Sequence, residues 1–214
     1  MTSAQDRPGA SPAVPATIVS GRSHGSLNAI TDSERRALRP IGMTAHEAAV
    51  RTGTILTGLF ALPGVRIFQG VLPTAADVPR IPHVVSLGRR LLFVESVAWP
   101  PGRYVTTAAG RIHCDGVYIG QSVRPLIAAV RYWEILLDRH WVSALVIVHP
   151  IATGELALPA AAGQTLAWVH PDDAVGHICA HLDGEPQTIS VRAVAALAAA
   201  TAEDCTCRDG EPPP

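Results

Sequence analysis

A glutamate inside an apolar run is the residue of this chain best placed to do chemistry. The run covers residues 90–99 (Arg-Leu-Leu-Phe-Val-Glu-Ser-Val-Ala-Trp), and strand alternation places Phe93, Glu95 and Val97 on one face. An ionised carboxylate on such a face loses its hydration, which is costly unless an ion or a hydrogen-bond donor compensates. Glu95 is therefore a candidate metal ligand or buried acid. The structural alternatives are an ion pair with an arginine or an exposed strand end.

A second group of residues could bind a transition metal. His177 and His181 lie four residues apart on a predicted helix at 172–182, so they share a face. Histidine and cysteine are ligands that zinc prefers, but the spacing here matches no familiar zinc motif. A zinc site and a set of solvated histidines are both open, and metal analysis of the purified protein would distinguish them. The other possible ligands in this part of the chain are His170, Asp172, Cys179, Cys205 and Cys207.

The composition excludes several chemistries. All 17 basic residues are arginine, so the chain has no lysine for a P-loop, a Schiff base or a (D/E)xK motif. The net charge of −1 lacks the basic excess of a non-specific nucleic-acid binder. Neither a signal peptide nor an apolar stretch long enough to span a bilayer is evident, which predicts a cytoplasmic protein with no membrane partner.

The elements that position these residues follow from apolar periodicity, caps and turn residues. Thr44 and Glu47 form a capping box that starts a helix over 45–61, and this explains Glu47 without a metal. A second helix begins near Ser122, with Pro125 in its first turn. The other predicted elements are strands at 65–72, 81–87, 90–99, 103–107, 110–113, 141–149 and 165–169, and helices at 172–182 and 191–202, the last capped by Ser190.

This order predicts an α/β or α+β fold of three layers, in which a mixed central sheet is flanked by helices. The strands at 81–87 and 90–99 form a hairpin, and the apolar run at 141–149 is typical of a central strand covered on both faces. Three segments are expected: a disordered N-terminal arm at 1–42, one domain at 43–202 and a C-terminal tail at 203–214.

Several motifs within residues 44–200 follow one another in a familiar order. They are Glu47 with Arg51-Thr52-Gly53, Ile81-Pro82-His83-Val84-Val85 leading into Leu92-Phe93-Val94-Glu95, then Trp99 and Gly102, Asp115-Gly116, Gln121 before a helix, and the run from Ala144 to His149. In this order and spacing the chain resembles the nuclease-related domain (NERD) family of the PD-(D/E)XK restriction-endonuclease-like superfamily. The resemblance implies a restriction-endonuclease-like α/β fold and metal-assisted phosphodiester hydrolysis, with Mg²⁺ or Mn²⁺ as the metal.

The resemblance also assigns roles to individual residues. Glu95 matches the family's metal-binding glutamate, Glu47 its helical acid and Gln121 its helix-entry glutamine; Glu95 and His83 are the possible metal ligands. His83 otherwise fits a histidine at the edge of the core. Capping or surface hydrogen bonding would explain Gln121 equally well.

Two positions depart from the family pattern. The aspartate position is Pro82, and the lysine position is Val97. One carboxylate makes a poor Mg²⁺ site, and proline cannot donate to a ladder, so the start of this strand should be an edge or a bulge. The site is therefore degenerate, and no cofactor is expected.

We therefore expect a non-catalytic domain that binds a protein partner or nucleic acid, and the near-neutral charge favours a protein. The alternative is a Mg²⁺- or Mn²⁺-dependent nuclease with relocated ligands, supplied by Asp77, Asp115, Glu47 or His83. A zinc protein built on the C-terminal histidines is the third hypothesis.

Overall fold

The computed structural model describes residues 23–32, 37–73, 78–161, 165–186 and 188–202, and a six-stranded mixed sheet forms its centre. The strands, in spatial order, are β1 (Ser23–Gly25), β2 (Arg66–Val71), β3 (Ile81–Leu87), β4 (Arg90–Trp99), β8 (Trp141–Pro150) and β10 (Leu166–Val169). β2, β3 and β4 pair antiparallel, whereas β1–β2, β4–β8 and β8–β10 are parallel. The predicted hairpin and the predicted central strand are both present.

A smaller sheet extends from the end of β4. Its spatial order is β7-β6-β5-β9, formed by β5 (Gly102–Thr106), β6 (Arg111–Cys114), β7 (Val117–Ser122) and β9 (Leu156–Ala157). Asp115 and Gly116 turn the chain between β6 and β7 with φ of 48° and 84°, as an Asp-Gly pair favours in a two-residue hairpin turn. β7 was not among the predicted strands, because its exposed residues lack an apolar alternation.

Helices cover both faces of the large sheet. They are α1 (Ala45–Leu56), followed by a 3₁₀ turn at Thr57–Ala61; α2 (Arg124–Leu136); a 3₁₀ turn at Pro171–Asp173 leading into α3 (Ala174–Leu182); and α4 (Val191–Ala202). Buried side chains of α3 join one apolar cluster with Val94 and Ile147, while those of α2 and α4 join another with Phe93 and Val146. Adjacent strand residues thus serve opposite layers, and the α/β class is confirmed.

Aromatic side chains connect the two sheets. Trp99, the last residue of β4, stacks on Tyr104 of β5 with ring centroids 4.3 Å apart, and Trp168 of β10 lies 5.3 Å from Trp99. The Tyr104 hydroxyl donates to the Pro100 carbonyl at 3.0 Å. Burial, together with its contact to Cys114, raises the pKa of Tyr104. This aromatic cluster fixes the orientation of the small sheet at the end of β4.

The ordered structure begins earlier than the boundary at residue 42 that the sequence favoured. Residues 23–25 add a parallel strand to β2, Leu38 is buried, and the Ile41 N–H donates to the Ala98 carbonyl at 2.7 Å. Backbone pairing with a sheet edge needs no apolar periodicity, so composition did not reveal it. Residues 1–22 of the predicted arm and the predicted tail at 203–214 lie outside the described residues.

The strand that carries Pro82 is an interior strand. β3 lies between β2 and β4, so of the two expected alternatives, an edge or a bulge, the edge is wrong. The ladder tolerates the proline because Pro82 falls outside the paired positions: pairing to β4 begins at His83, and pairing to β2 passes from His83 to Ile81. The local irregularity lies in the neighbouring strand, where Gly70 has a φ of 66°.

Candidate functional site

Glu95 lies in the middle of β4 with no solvent exposure. It faces the layer of α2 and α4, together with Phe93 and Val97, which are both in the apolar cluster of that layer. One carboxylate oxygen, Oε1, accepts the Ser96 backbone N–H at 3.0 Å. The apolar run predicted a buried carboxylate, and Glu95 is buried. It lies inside the sheet and not in an open cleft.

His83 lies on the opposite face of the sheet from Glu95. It pairs with Val94, the residue before Glu95, and it is fully buried. A Cβ added at Gly53 of α1 would be 3.2 Å from His83 Nε2, so the imidazole packs directly against that helix. His83 and Glu95 therefore cannot bind one ion from a common side of the sheet.

The two positions at which the chain departs from the nuclease-related pattern, Val97 and Pro82, are both buried. Val97 shares the face of Glu95 and is fully enclosed in the apolar cluster. Pro82 is buried at the start of β3. No charge is present at either position, and apolar packing replaces the polar groups that metal-assisted hydrolysis requires.

Glu47 caps α1. Its carboxylate accepts the Thr44 backbone N–H at 2.8 Å, while the Glu47 N–H donates to Thr44 Oγ1 at 3.1 Å, so the predicted capping box is confirmed. These hydrogen bonds, the one from the Thr44 backbone first, lower the pKa of Glu47. Glu47 is exposed at the helix start on the α1 side, and the structure does not bring it to Glu95.

Gln121 is part of β7 and is occupied by a structural contact. Its side-chain amide accepts a hydrogen bond from the Arg39 N–H at 3.2 Å and donates one to the Arg39 carbonyl at 3.0 Å. The amide thus pairs with the Arg39 backbone as a neighbouring strand would. The helix expected from Ser122 begins two residues later, at Arg124, and Ser122 Oγ accepts the Arg124 N–H at 3.3 Å. Gln121 thus ties residues 37–42 to the small sheet.

A buried polar network lies beneath α1 that sequence reasoning missed. Ser96 Oγ donates to Thr52 Oγ1 at 2.8 Å, and Thr52 Oγ1 lies 2.9 Å from His149 Nε2. All three side chains are almost fully enclosed. The available signals were Thr52 within the apolar stripe of the helix, and Ser96 and His149 within apolar strands. Only the pairing of β4 with β8 brings them together.

His149 is neutral in this network. Burial, reinforced by the nearby Arg51 charge, lowers the pKa of His149 to about 4. A neutral imidazole can accept the threonine proton or donate its own, which completes the chain of hydroxyl groups. The network satisfies buried polar groups between α1, β4 and β8, so its role in the fold is structural.

The sequence also offered Asp115 and Asp77 as carboxylates that could bind a metal together with Glu95. Among the described residues, the structure does not place such a carboxylate beside Glu95. Asp115 lies in the turn between β6 and β7, where Oδ1 accepts the Arg103 N–H at 3.0 Å and Oδ2 lies 3.7 Å from Cys114 Sγ. Asp77 lies outside the described residues, as do Cys205 and Cys207.

The C-terminal histidines border a cleft at the start of β8. His181 Nε2 lies 3.0 Å from Ser143 Oγ, and the Arg90 guanidinium donates to the His181 carbonyl. Burial, then the Arg90 charge, lowers the pKa of His181. The cleft has a volume of about 690 Å³, and His177 and Glu134 also line it.

The residues around Glu95 do not fit a magnesium ion. Mg²⁺ keeps several water ligands and takes one or two carboxylates, whereas Glu95 has no solvent access and apolar side chains on either side along its face. Within the described ranges, no three His, Cys, Asp or Glu side chains form a group that could hold a metal ion. A metal-dependent step at Glu95 therefore has no support in this geometry.

Comparison with known proteins gives no relative. No protein-family model, no curated protein and no solved structure matches the chain. No helix in the part of the chain that the structure describes is long and apolar enough to cross a membrane.

Proposed function

We propose that this chain is a degenerate nuclease-related domain that binds a protein partner and does not hydrolyse phosphodiesters. One observation carries the non-catalytic part of the proposal: Glu95 is buried on one face of the sheet, while His83 and Glu47 belong to the other. The residues that the resemblance assigns to a metal centre thus belong to two separate layers of the fold.

The two departures from the motif support the same conclusion. Val97 occupies the lysine position within the apolar cluster, and Pro82 occupies the aspartate position inside the sheet. The chain has no lysine that could substitute. An arginine can stabilise charge, but its high pKa makes it a poor proton-transfer group.

The direct test is cleavage of single- and double-stranded DNA and of RNA, with Mg²⁺ and then Mn²⁺, by the wild type and Glu95→Gln. We expect no metal-dependent cleavage, or the same trace activity in both proteins. Cleavage that Glu95→Gln abolishes would overturn the proposal and identify a nuclease with relocated ligands. Circular dichroism on both proteins checks that the variant is folded.

A further inference from the structure

A serine and a histidine meet in the cleft at the start of β8, on the opposite face of the sheet from Glu95. Ser143 Oγ lies 3.0 Å from His181 Nε2, which is hydrogen-bonding distance. Ser143 belongs to β8, and His181 is the last residue but one of α3. The contact therefore joins a central strand to the helix that covers it. A hydroxyl beside an imidazole is the arrangement in which a protein activates serine as a nucleophile.

Strand alternation turns Ser143 toward the layer of α3. Leu145 and Ile147, two and four residues further along β8, belong to the apolar cluster that also contains Ile178 of α3. His181 lies three residues after Ile178, so both side chains are on one side of the helix. The alternation of β8 and the repeat of the helix thus bring together a hydroxyl and an imidazole that are 38 positions apart in the chain.

A small molecule can reach the pair. Only 7% of Ser143 is exposed, but Ser143 and His181 both line the cleft of about 690 Å³. This volume is within the ordinary range of small-molecule sites. Trp141 also lines the cleft, is 62% exposed and lies two residues from Ser143 on the same face of β8. Its indole ring offers an apolar wall for part of a substrate.

His181 has the protonation state that a general base requires. Burial, then the charges of Arg90 and His177, lowers the pKa of His181 below its ordinary value. The imidazole is therefore neutral at pH 7, and Nε2 can accept the Ser143 proton when the other ring nitrogen carries the hydrogen. The distance and the charge state both fit a serine that a histidine activates.

Arg90 adds a positive charge beside the pair. Its guanidinium donates to the His181 carbonyl and pairs with Glu185 at 3.3 Å, which holds it in the wall of the cleft. Arg90 is the register partner of Trp141 in the β4–β8 ladder, so it lies on the strand next to Ser143. A fixed positive charge stabilises the oxyanion that forms when a hydroxyl attacks a carbonyl.

We propose that Ser143 and His181 form a catalytic dyad that hydrolyses small carboxylic esters. Ser143 Oγ attacks the carbonyl carbon while His181 Nε2 takes the hydroxyl proton. The C–O bond to the alcohol then breaks, the alcohol leaves with that proton, and an acyl-serine remains. Water, deprotonated by the same imidazole, attacks the acyl-serine, which releases the carboxylic acid and restores the Ser143 hydroxyl.

The surroundings of His181 favour esters over amides. Within the described ranges, no carboxylate forms a hydrogen bond with His181 of the kind that completes a catalytic triad. A dyad of this kind suits esters, because an alcohol leaves more readily than the amine of an amide. The activity goes beyond the proposed function, since it concerns another bond and another face of the sheet.

The test is labelling of the full chain with a fluorophosphonate, which bonds to an activated serine hydroxyl with release of fluoride. Intact-mass and peptide mass spectrometry should find the label on Ser143. Hydrolysis of p-nitrophenyl butyrate should accompany it. Its rate should rise with pH in the range below about 6.5 and be level by about pH 7, because His181 must be neutral to act as the base.

Two variants separate catalysis from packing. Ser143→Ala should abolish labelling and reduce kcat/KM to the background rate. His181→Gln keeps an amide that can donate to Ser143 Oγ but cannot act as a base, so it should fold and lose about 100-fold or more in kcat/KM. The matched control Ser122→Ala removes a hydroxyl that accepts the Arg124 N–H, and it should leave both readouts unchanged. Circular dichroism checks that each variant is folded.

Three outcomes would overturn the proposal. These are no label on Ser143 in the folded wild type, hydrolysis that Ser143→Ala retains, and hydrolysis that His181→Gln retains in full. Loss of hydrolysis in His177→Gln but not in Ser143→Ala would make the exposed imidazole of His177 the nucleophile instead. None of these results bears on the DNA and RNA cleavage assay with Glu95→Gln, so the two proposals fail independently.

Discussion

Glu95 and His83 lie on adjacent strands of one sheet but on opposite faces of it. His83 pairs with Val94, so Glu95 is displaced by one residue along β4 and points to the other layer. His83 packs against Gly53 of α1, whereas Glu95 shares its face with residues that pack toward α2 and α4. A motif that places both residues within one hairpin does not therefore place them in one site.

We expect Arg80 and Glu95 to be energetically coupled. Among the described residues both are buried, with exposed fractions of 6% and 0%; Arg80 directly precedes β3, and Glu95 lies in β4, which pairs with β3. A buried charge is stable when an opposite charge compensates it. A double-mutant cycle of Arg80→Met and Glu95→Gln, measured by urea unfolding, should give a coupling free energy of about 1–3 kcal/mol. Additive effects would show that the two charges are compensated separately.

The stability of the protein should fall as the pH drops from about 6.5 toward about 4, in part because of His149. Its folded pKa lies below the unfolded value, so the unfolded state binds more protons in this window. The loss attributable to His149 should be about 1–2 kcal/mol after allowance for solvent screening.

His149→Gln should remove this part of the pH dependence, as measured by urea unfolding at a series of pH values. Thr52→Ser keeps the hydroxyl beside the imidazole and serves as the control, which should retain the wild-type slope. If His149→Gln retained it too, the imidazole would not be the titrating group. His181 and Glu47, whose pKa values are also lowered, should contribute to the remaining slope.

The capping box should contribute to stability without any metal. Thr44→Ala removes the acceptor for the Glu47 N–H and should lower the free energy of unfolding by about 1 kcal/mol. Glu47→Gln keeps an oxygen for the Thr44 N–H, so it should be far less damaging. Urea unfolding with and without Mn²⁺ checks both variants. A Mn²⁺-dependent stabilisation that Glu47→Gln alone abolishes would instead make Glu47 a metal ligand.

Gln121→Ala should release residues 37–42 from the small sheet. The substitution removes both hydrogen bonds to the Arg39 backbone, so the Arg39 amide should exchange with deuterium faster. Hydrogen exchange by mass spectrometry on a peptide covering 37–42 measures the effect. Tyr118→Ala, on the same strand and 48% exposed, is the control and should leave that peptide protected. Unchanged exchange in Gln121→Ala would mean that other contacts hold the segment.

The sequence by itself determined the elements whose signals are local. The capping box at Thr44 and Glu47 placed the start of α1, and Asp115-Gly116 marked a turn. The apolar runs at 81–87 and 90–99 predicted the hairpin almost to the residue. Caps, turns and strand alternation act within a few residues, so a single chain displays them without knowledge of its partners.

Only the tertiary structure decided which of these residues meet. Thr52, Ser96 and His149 form a network because β8 pairs in parallel with β4 and α1 covers their shared face. Residues 23–25 join a sheet that their composition did not suggest. These contacts join residues many positions apart, so strand register and layer order fix them, and no local pattern encodes either one.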